Sequence, residues 1–271
     1  MTTELHARFA ALHANTSPLL LPNAWDAASA RLWQEVGATA VATSSAAVAW
    51  SRGYADGSAL PRDALLDVLR DIVRVVSVPV TMDFEDGYSD DPHRVAELAV
   101  EVAAAGAIGI NIEDGGNAPE ALAEKIRAIR MRLPATTPLF INARTDVYLH
   151  GLATGDAAVA MTIERMRLYA DAGADGAFVP GLADADASAR IAAGIATERP
   201  LALNVMAMPG LPSVAALHAA GVRRISCGPG LFKVAFSAAQ AATRAFLDAD
   251  LAPLFRATLD YNALNALFAA R

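Results

Sequence analysis

Short runs of valine, isoleucine, leucine and alanine recur along the chain. Each is followed by a longer stretch whose apolar residues fall three and four positions apart. The runs at residues 19–25, 38–45, 78–85, 108–114, 139–146, 176–181, 201–206 and 224–228 lack polar alternation, the pattern of parallel strands covered on both faces. Between them, spacings such as Ala64, Leu65, Val68, Leu69, Ile72, Val73 and Val76 predict amphipathic helices. Gly37, Gly106, Gly173 and Gly221 stand where helices should end, the position that favours a left-handed residue. Eight strand-then-helix units predict an α/β chain folded as a (β/α)8 TIM barrel. No linker or break in composition interrupts the series, so residues 1–271 read as one domain. Beyond the eighth strand the pattern predicts helices over 232–247 and 251–270. The second carries Leu254, Phe255, Leu259, Leu264 and Phe268 and packs either on its own barrel or on a second subunit.

Composition narrows the class. With 54% hydrophobic and 19% charged residues in 271, the chain can fill a large core and is neither disordered nor a disulfide-stapled miniprotein. The alanine-rich apolar fraction favours helices, and no run approaches the roughly 18–20 uninterrupted apolar residues of a membrane span. Residues 1–8 carry Glu4, His6 and Arg8 without an apolar stretch, so no secretory signal is expected there. A net charge of −7 argues against a nucleic-acid partner. Cys227 is the single cysteine and cannot form an internal disulfide, which points to a cytoplasmic location.

Candidate chemistry gathers at the predicted strand ends, where barrels place their active sites. The third strand runs into Asp83-Phe84-Glu85-Asp86-Gly87-Tyr88, the fourth into Glu113-Asp114-Gly115-Gly116, and the fifth into Arg144-Thr145-Asp146. Asp83 and Glu85 lie two apart and would share one side of a strand. With Glu113 they form an all-oxygen set suited to Mg²⁺; the alternative is that these acids cap helices or pair with arginines. Arg144 suits a substrate carboxylate, or else an ion pair with Asp146 or Asp114. Ser44, Ser45 and Ala46 form a small-residue run whose amides and hydroxyls could meet a ligand oxygen, though such runs also simply permit tight packing. The five histidines show no zinc spacing, and Cys227 reads as a packing residue.

The series Ser44-Ser45, Gly53-Tyr54-Ala55-Asp56, Asp83-Phe84-Glu85-Asp86-Gly87-Tyr88, Ile112-Glu113-Asp114 and Ala143-Arg144-Thr145-Asp146 resembles the isocitrate lyase/phosphoenolpyruvate mutase superfamily from about residue 20 to 230. The resemblance implies a Mg²⁺-dependent barrel, Mn²⁺ being a possible substitute, that makes or breaks C–C or P–C bonds next to an enolate or oxocarboxylate. It implies a homo-oligomer, a dimer or tetramer, in which the last helix, here residues 248–271, is exchanged between subunits. Carried over, Asp83, Glu85 and Glu113 would hold the metal, often through waters. Asp56 would orient the metal shell or a reacting group, and Ser44, Ser45 and Ala46 would meet a carboxylate or enolate oxygen. Asp83, Arg144 and Asn204 would contact a small oxo- or hydroxycarboxylate. Two departures stand out. Gly115-Gly116-Asn117-Ala118-Pro119 replaces the Lys-Lys-Cys-Gly-His gating loop of the lyases, and Phe178-Val179-Pro180 stands where many members place Glu or His. Tyr54, Asp56, His150 or a metal-bound water would then have to carry the proton. The expected function is a Mg²⁺-dependent carbon–carbon lyase of isocitrate-lyase-like type. The alternatives are oxaloacetate decarboxylation, phosphonate P–C chemistry, or oxoacid binding without catalysis.

Overall fold

A computed structural model of the chain describes residues 2–57 and 59–269. All strands are parallel. They are β1 (Leu19–Leu21), β2 (Asn23–Ala24), β3 (Val41–Thr43), β4 (Val80–Asp83), β5 (Gly109–Glu113), β6 (Phe140–Arg144), β7 (Gly176–Phe178), β8 (Ala202–Met206) and β9 (Val222–Ser226). The order in the sheet is β1-β9-β8-β7-β6-β5-β4-β3-β2. Because β1 and β2 are consecutive in the chain, separated only by Pro22, the sheet closes on itself. Proline has no N–H to give the ladder, so one staved position is split into two short strands. The result is the predicted eightfold α/β barrel, each predicted strand matching an observed one with ends trimmed by a few residues.

Helices α1 (Thr2–Leu12), α2 (Ala27–Glu35), α3 (Ser45–Ser51), α4 (Arg62–Val75), α5 (Pro92–Ala104), α6 (Pro119–Arg132), α7 (Gly155–Ala172), α8 (Ala185–Gly194), α9 (Val214–Ala219), α10 (Gly230–Leu247) and α11 (Tyr261–Ala269) complete the chain. The apolar stripe of α4 is buried as its spacing predicts: Leu65, Val68, Leu69 and Ile72 are each at most 2% exposed. Gly173 ends α7 at φ +111°, and a Cβ there would stand 2.9 Å from Arg130 Cγ. Position and neighbour together require glycine.

The sequence pattern did not reveal α1. It closes the N-terminal end of the barrel, where Phe9 packs against Leu19, Leu21 and Phe140. His13 stacks on Phe140 at 4.6 Å between ring centroids, and its Nδ1 meets the Phe9 carbonyl oxygen at 2.9 Å. At the other end of the chain, the continuous helix expected over 251–270 is a 3-10 turn, Ala252–Arg256, followed by the short α11. The interruption falls at residues 257–260, and Asp260 accepts from the Ala263 N–H at 2.8 Å and so starts a new helix. The α11 backbone is tied to α2 of the same chain through Arg31 Nε and the Leu267 carbonyl, 2.8 Å. Phe236, Leu247, Leu254, Phe255 and Phe268 remain exposed. No helix among the described residues is long and apolar enough to cross a membrane.

Burial lowers the His13 imidazole from 6.5 to about 4, the Arg224 charge adding to the effect. A base whose pKa falls on folding binds fewer protons folded than unfolded, so its stability contribution is complete above pH 6.5 and is lost as pH falls toward 4. The expected loss across that window is about 3 kcal/mol. Urea unfolding at pH 7.5 and pH 4.5 should show it as a difference between the wild type and His13→Leu, the variant being the less pH-sensitive.

Candidate active site

The C-terminal ends of β3 to β6 bring the acidic residues together. Asp83 is the last residue of β4. Its N–H donates to Thr43 Oγ1 at 2.9 Å, and its Oδ2 accepts the Ser45 N–H at 2.8 Å. Ser44 caps α3, which presents the Ser45 amide to Asp83, an anion at a helix N-terminus. Asp83 Oδ1 is buried without a hydrogen-bond partner among the described residues. Of the run Ser44-Ser45-Ala46, the Ser45 amide meets this carboxylate, Ser44 caps α3 and Ala46 is buried in it.

Glu85 reaches the site by a route other than strand alternation. The strand ends at Asp83, and Glu85 and Tyr88 both adopt left-handed backbone, φ +48° and +59°, a costly conformation for side chains of this kind. The turn is held by Tyr88 Oη donating to Glu85 Oε1 at 2.6 Å and by Lys125 Nζ donating to the Asp86 carbonyl at 2.8 Å. Burial, with the Glu85, Asp83 and Asp56 charges nearby, pushes the Tyr88 phenol far up, so it stays a donor. The Asp56 field reaches this turn, but Tyr54 and Asp56 lie on an exposed loop.

Glu113 and Arg144 are register partners on β5 and β6 and form an ion pair at 2.5 Å. Arg144 also gives Nε and Nη2 to the two oxygens of Asp146, 2.7 and 3.0 Å, and its guanidinium lies 5.8 Å from the Phe178 ring centroid. Both the metal-ligand and the ion-pair expectations therefore meet at one residue pair. Burial pushes the Glu113 carboxyl up to about 8; Arg144 pulls it back, and Asp83, Asp146 and Glu85 add to the rise. Burial opposes the Arg144 charge, but Glu113 and Asp146 outweigh it and keep the guanidinium protonated.

Beneath this layer Asp114 acts as a hub. Its Oδ2 accepts from Thr145 Oγ1, Arg165 Nη1 and Tyr169 Oη, each at 2.7 Å, and its Oδ1 accepts the Asp146 N–H at 3.1 Å. Burial raises its carboxyl, but these donors together hold it below the ordinary carboxylate value. Asp114 thereby fixes Asp146, which fixes Arg144. The sequence marks Asp114 by the Ile112-Glu113-Asp114 motif and as a possible pair for Arg144, with no sign of its role as a hub. Arg165 and Tyr169, one helical turn apart on α7, carry no motif signal.

Asn204 does not line the mouth. It is fully buried, accepts from Asn142 Nδ2 at 3.1 Å and donates to the Val205 carbonyl at 2.7 Å. It belongs to a polar layer inside the barrel. His150 follows β6 on the loop facing Gly116; a Cβ on that glycine would stand 3.2 Å from His150 Nδ1. Cys227 takes the Asn23 N–H at 3.3 Å, in keeping with a packing role.

No three His, Cys, Asp or Glu side chains among the described residues converge closely enough to coordinate one ion directly. Mg²⁺ keeps several of its waters and uses one or two carboxylates. The buried, partnerless Asp83 Oδ1 and the crowding that raises Glu113 suit a cation held in that way.

Residues 9–247 match the phosphoenolpyruvate phosphomutase family model, and the chain belongs to this family. It is 37% identical over 246 residues, 89% of this chain and 90% of the other, to the uncharacterized protein Rv1998c of Mycobacterium tuberculosis. It is 31% identical to 2-methylisocitrate lyase of Halalkalibacterium halodurans over 68% of this chain and 62% of that one. A crystal structure of a protein provisionally named a phosphonomutase, from Burkholderia cenocepacia J2315, superposes with TM-score 0.84 at 38% identity, covering 90% and 99% of the two chains. At 20% identity, phosphonopyruvate hydrolase, solved with oxalate and Mg²⁺, shares the fold with TM-score 0.82 over 98% and 95%. The family links this chain to enzymes that are lyases and mutases.

Asp114→Asn should destabilise the protein by about 3 kcal/mol, since it strands Arg165 in a largely buried position. Tyr169→Phe, which removes one bond to the same carboxylate, should cost about 1.5–3 kcal/mol. Chemical denaturation of both variants, ranked in that order, checks the hub.

Proposed function

We propose that the protein is a Mg²⁺-dependent carbon–carbon lyase that cleaves a 2-hydroxy di- or tricarboxylate through an enolate-like intermediate. The observation that carries this is the gathering of two half-buried carboxylates, Asp83 and Glu113, with the partly committed guanidinium of Arg144. The name of the 31% identical relative, 2-methylisocitrate lyase, supports it. Asp83, Glu85 and Glu113 would hold Mg²⁺ or Mn²⁺, through waters. When bound, that cation supplies positive charge to the oxygens of the reacting carboxylate and hydroxyl.

The chain's own groups then divide the work. Asp146 grips one edge of Arg144, leaving Nη1, the atom now paired with Glu113, to meet a substrate carboxylate. A base removes the hydroxyl proton, the bond between the carbinol carbon and its neighbour breaks, and the electron pair passes to the neighbouring carbon as an enolate. An acid returns a proton to that carbon, leaving an oxoacid and a carboxylic acid. Asp56 and Tyr54, on the exposed loop beside the Glu85 turn, are proposed for these transfers, with His150 across the mouth as a further donor. Their exposure fits groups that complete the site only with substrate present.

A second activity, on a phosphonate P–C bond, is favoured by the 38% identical structure bearing a phosphonomutase name. Oxaloacetate decarboxylation would suit the short loop after Glu113, which holds none of the gating-loop cysteine chemistry. Incubation with Mg²⁺ and a panel of 2-hydroxy acids, oxaloacetate and phosphonopyruvate separates the three. The expected result is oxoacid release from a 2-hydroxy di- or tricarboxylate, abolished by EDTA and reduced at least ~100-fold by Asp83→Ala. Turnover of none of the panel, or full activity in the folded Asp83→Ala variant, would overturn the proposal.

We further propose that residues 248–271 exchange between subunits of a homo-oligomer and that the protein acts in the cytoplasm. The exposed apolar side chains of α10 and the C-terminal segment support the exchange. Light scattering should return a mass of two or four times 28.2 kDa, and removal of residues 248–271 should reduce it to that of the single chain.

A further inference from the structure

The barrel interior holds an arginine that the site described above does not use. Arg224, on β9, is fully buried. Among the described residues its guanidinium makes one hydrogen bond, from Nη2 to Asn111 Oδ1 at 3.1 Å, while Nε and Nη1 have no partner. Phe9 lies below it, 5.9 Å from the ring centroid. Keeping a guanidinium out of water costs several kcal/mol unless an opposite charge offsets it.

The strands around it carry a polar layer, with glycines making room for two of its members. Gly109 and Gly176 face Thr81 and Asn142: a Cβ at Gly109 would stand 3.0 Å from Thr81 Oγ1, and one at Gly176 would stand 2.4 Å from Asn142 Oδ1. Asn111, the anchor of Arg224, also accepts from Asn142 Nδ2 at 2.9 Å. It is the register partner of Asp83 on the adjacent strand. A fully buried guanidinium and a half-buried carboxylate, each with unsatisfied polar atoms, are therefore linked through one asparagine, the first by a hydrogen bond and the second by strand register. Desolvation lowers the Arg224 guanidinium to about 9, and the Asp83 charge opposes that fall.

We propose that Arg224 is a positioning residue of the site: joined through Asn111 to the strand that carries Asp83, it is the resident counter-charge of Asp83 and moderates that carboxylate's grip on a divalent cation. The clause about the cation rests on the metal assignment made under Proposed function; the charge pair does not. Arg224 and a cation at the mouth share one anion from opposite sides, so removing the first strengthens binding of the second.

The test combines thermal melting with Mn²⁺ titration on the full chain, for the wild type, Asp83→Asn, Arg224→Met, Arg224→Lys and the double variant Asp83→Asn/Arg224→Met. Loss of Arg224 should cost less Tm on the Asp83→Asn background than alone, by roughly 3 °C or more. Arg224→Met should bind Mn²⁺ about 10-fold more tightly than the wild type, and Arg224→Lys should bind it like the wild type. Should Arg224→Met not fold, Arg224→Gln is read in the same way, and the double variant, free of both charges, still folds. Additive Tm changes overturn the charge pair. Coupled Tm changes with unaltered Mn²⁺ affinity in the methionine variant overturn the moderation of metal binding. A wild type that binds no Mn²⁺ while the Tm coupling persists overturns the metal assignment and supports the charge pair.

Discussion

Like charges repel more strongly out of water than in it, and the mouth of this barrel gathers Asp83, Glu85, Glu113, Asp114 and Asp146 on three neighbouring strand ends. Most of the local architecture can be understood as the means of tolerating that repulsion. Asp114 is satisfied by five side-chain and backbone donors, the Asp146 carboxylate by Arg144, and Glu85 by a tyrosine that cannot easily lose its proton. Asp83 has the amide at the start of α3 on one oxygen and nothing on the other. The deficit of positive charge is thus concentrated between Asp83 and Glu113, where Arg144 is shared with a second carboxylate.

The frame that enforces this crowding is legible in the sequence because parallel strands buried on both faces leave a continuous apolar signature. It places Asp83, Glu113 and Arg144 correctly, since a strand's last residues must emerge at one rim. Glu85 is a different matter. Period-two alternation puts it beside Asp83, but the strand stops and the backbone turns left-handed, a turn held locally by Tyr88 and, from a distant helix, by Lys125. Arg224, and the depth at which Asn204 lies inside the barrel, escaped for a related reason. Inside a closed barrel an inward side chain may be polar if its neighbours on other strands are too, and the pairing of Asn111, Asn142 and Asn204 is set by barrel closure over long sequence separations. The C-terminal break did have a signal: Asp260 is a cap inside an otherwise helical run.

The polar layer also bears on stability. A hydrophobic filling would be expected at the centre of such a barrel, yet the chain carries Thr81, three asparagines and an arginine there, with glycines opposite them to make room. That costs transfer free energy which the surrounding core must offset, and the apolar plug of Phe9, His13 and Phe140 shields the layer from water at the closed end. Natural chains depart from the consistent solution chiefly where function demands it. The departure here lies directly beneath the carboxylates rather than at the opposite end.

Glu113 links the two halves of the site. It is the partner of Arg144 Nη1 and, in the proposed mechanism, a ligand of the cation. Any ligand that draws Glu113 away frees that edge of the guanidinium for another carboxylate, while Asp146 keeps the arginine in place through its other edge. Cation and anionic substrate are then coupled through a single shared carboxylate, and linkage requires the coupling to be reciprocal: each binds more tightly when the other is present. Without the cation, a substrate carboxylate must compete with Glu113 for Arg144 and meets Asp83 and Glu85 as additional negative charge. With the cation held as proposed, an acidic mouth of this kind would exclude its own substrate until the cation is in place, and the same charge excess would set the order in which the site fills.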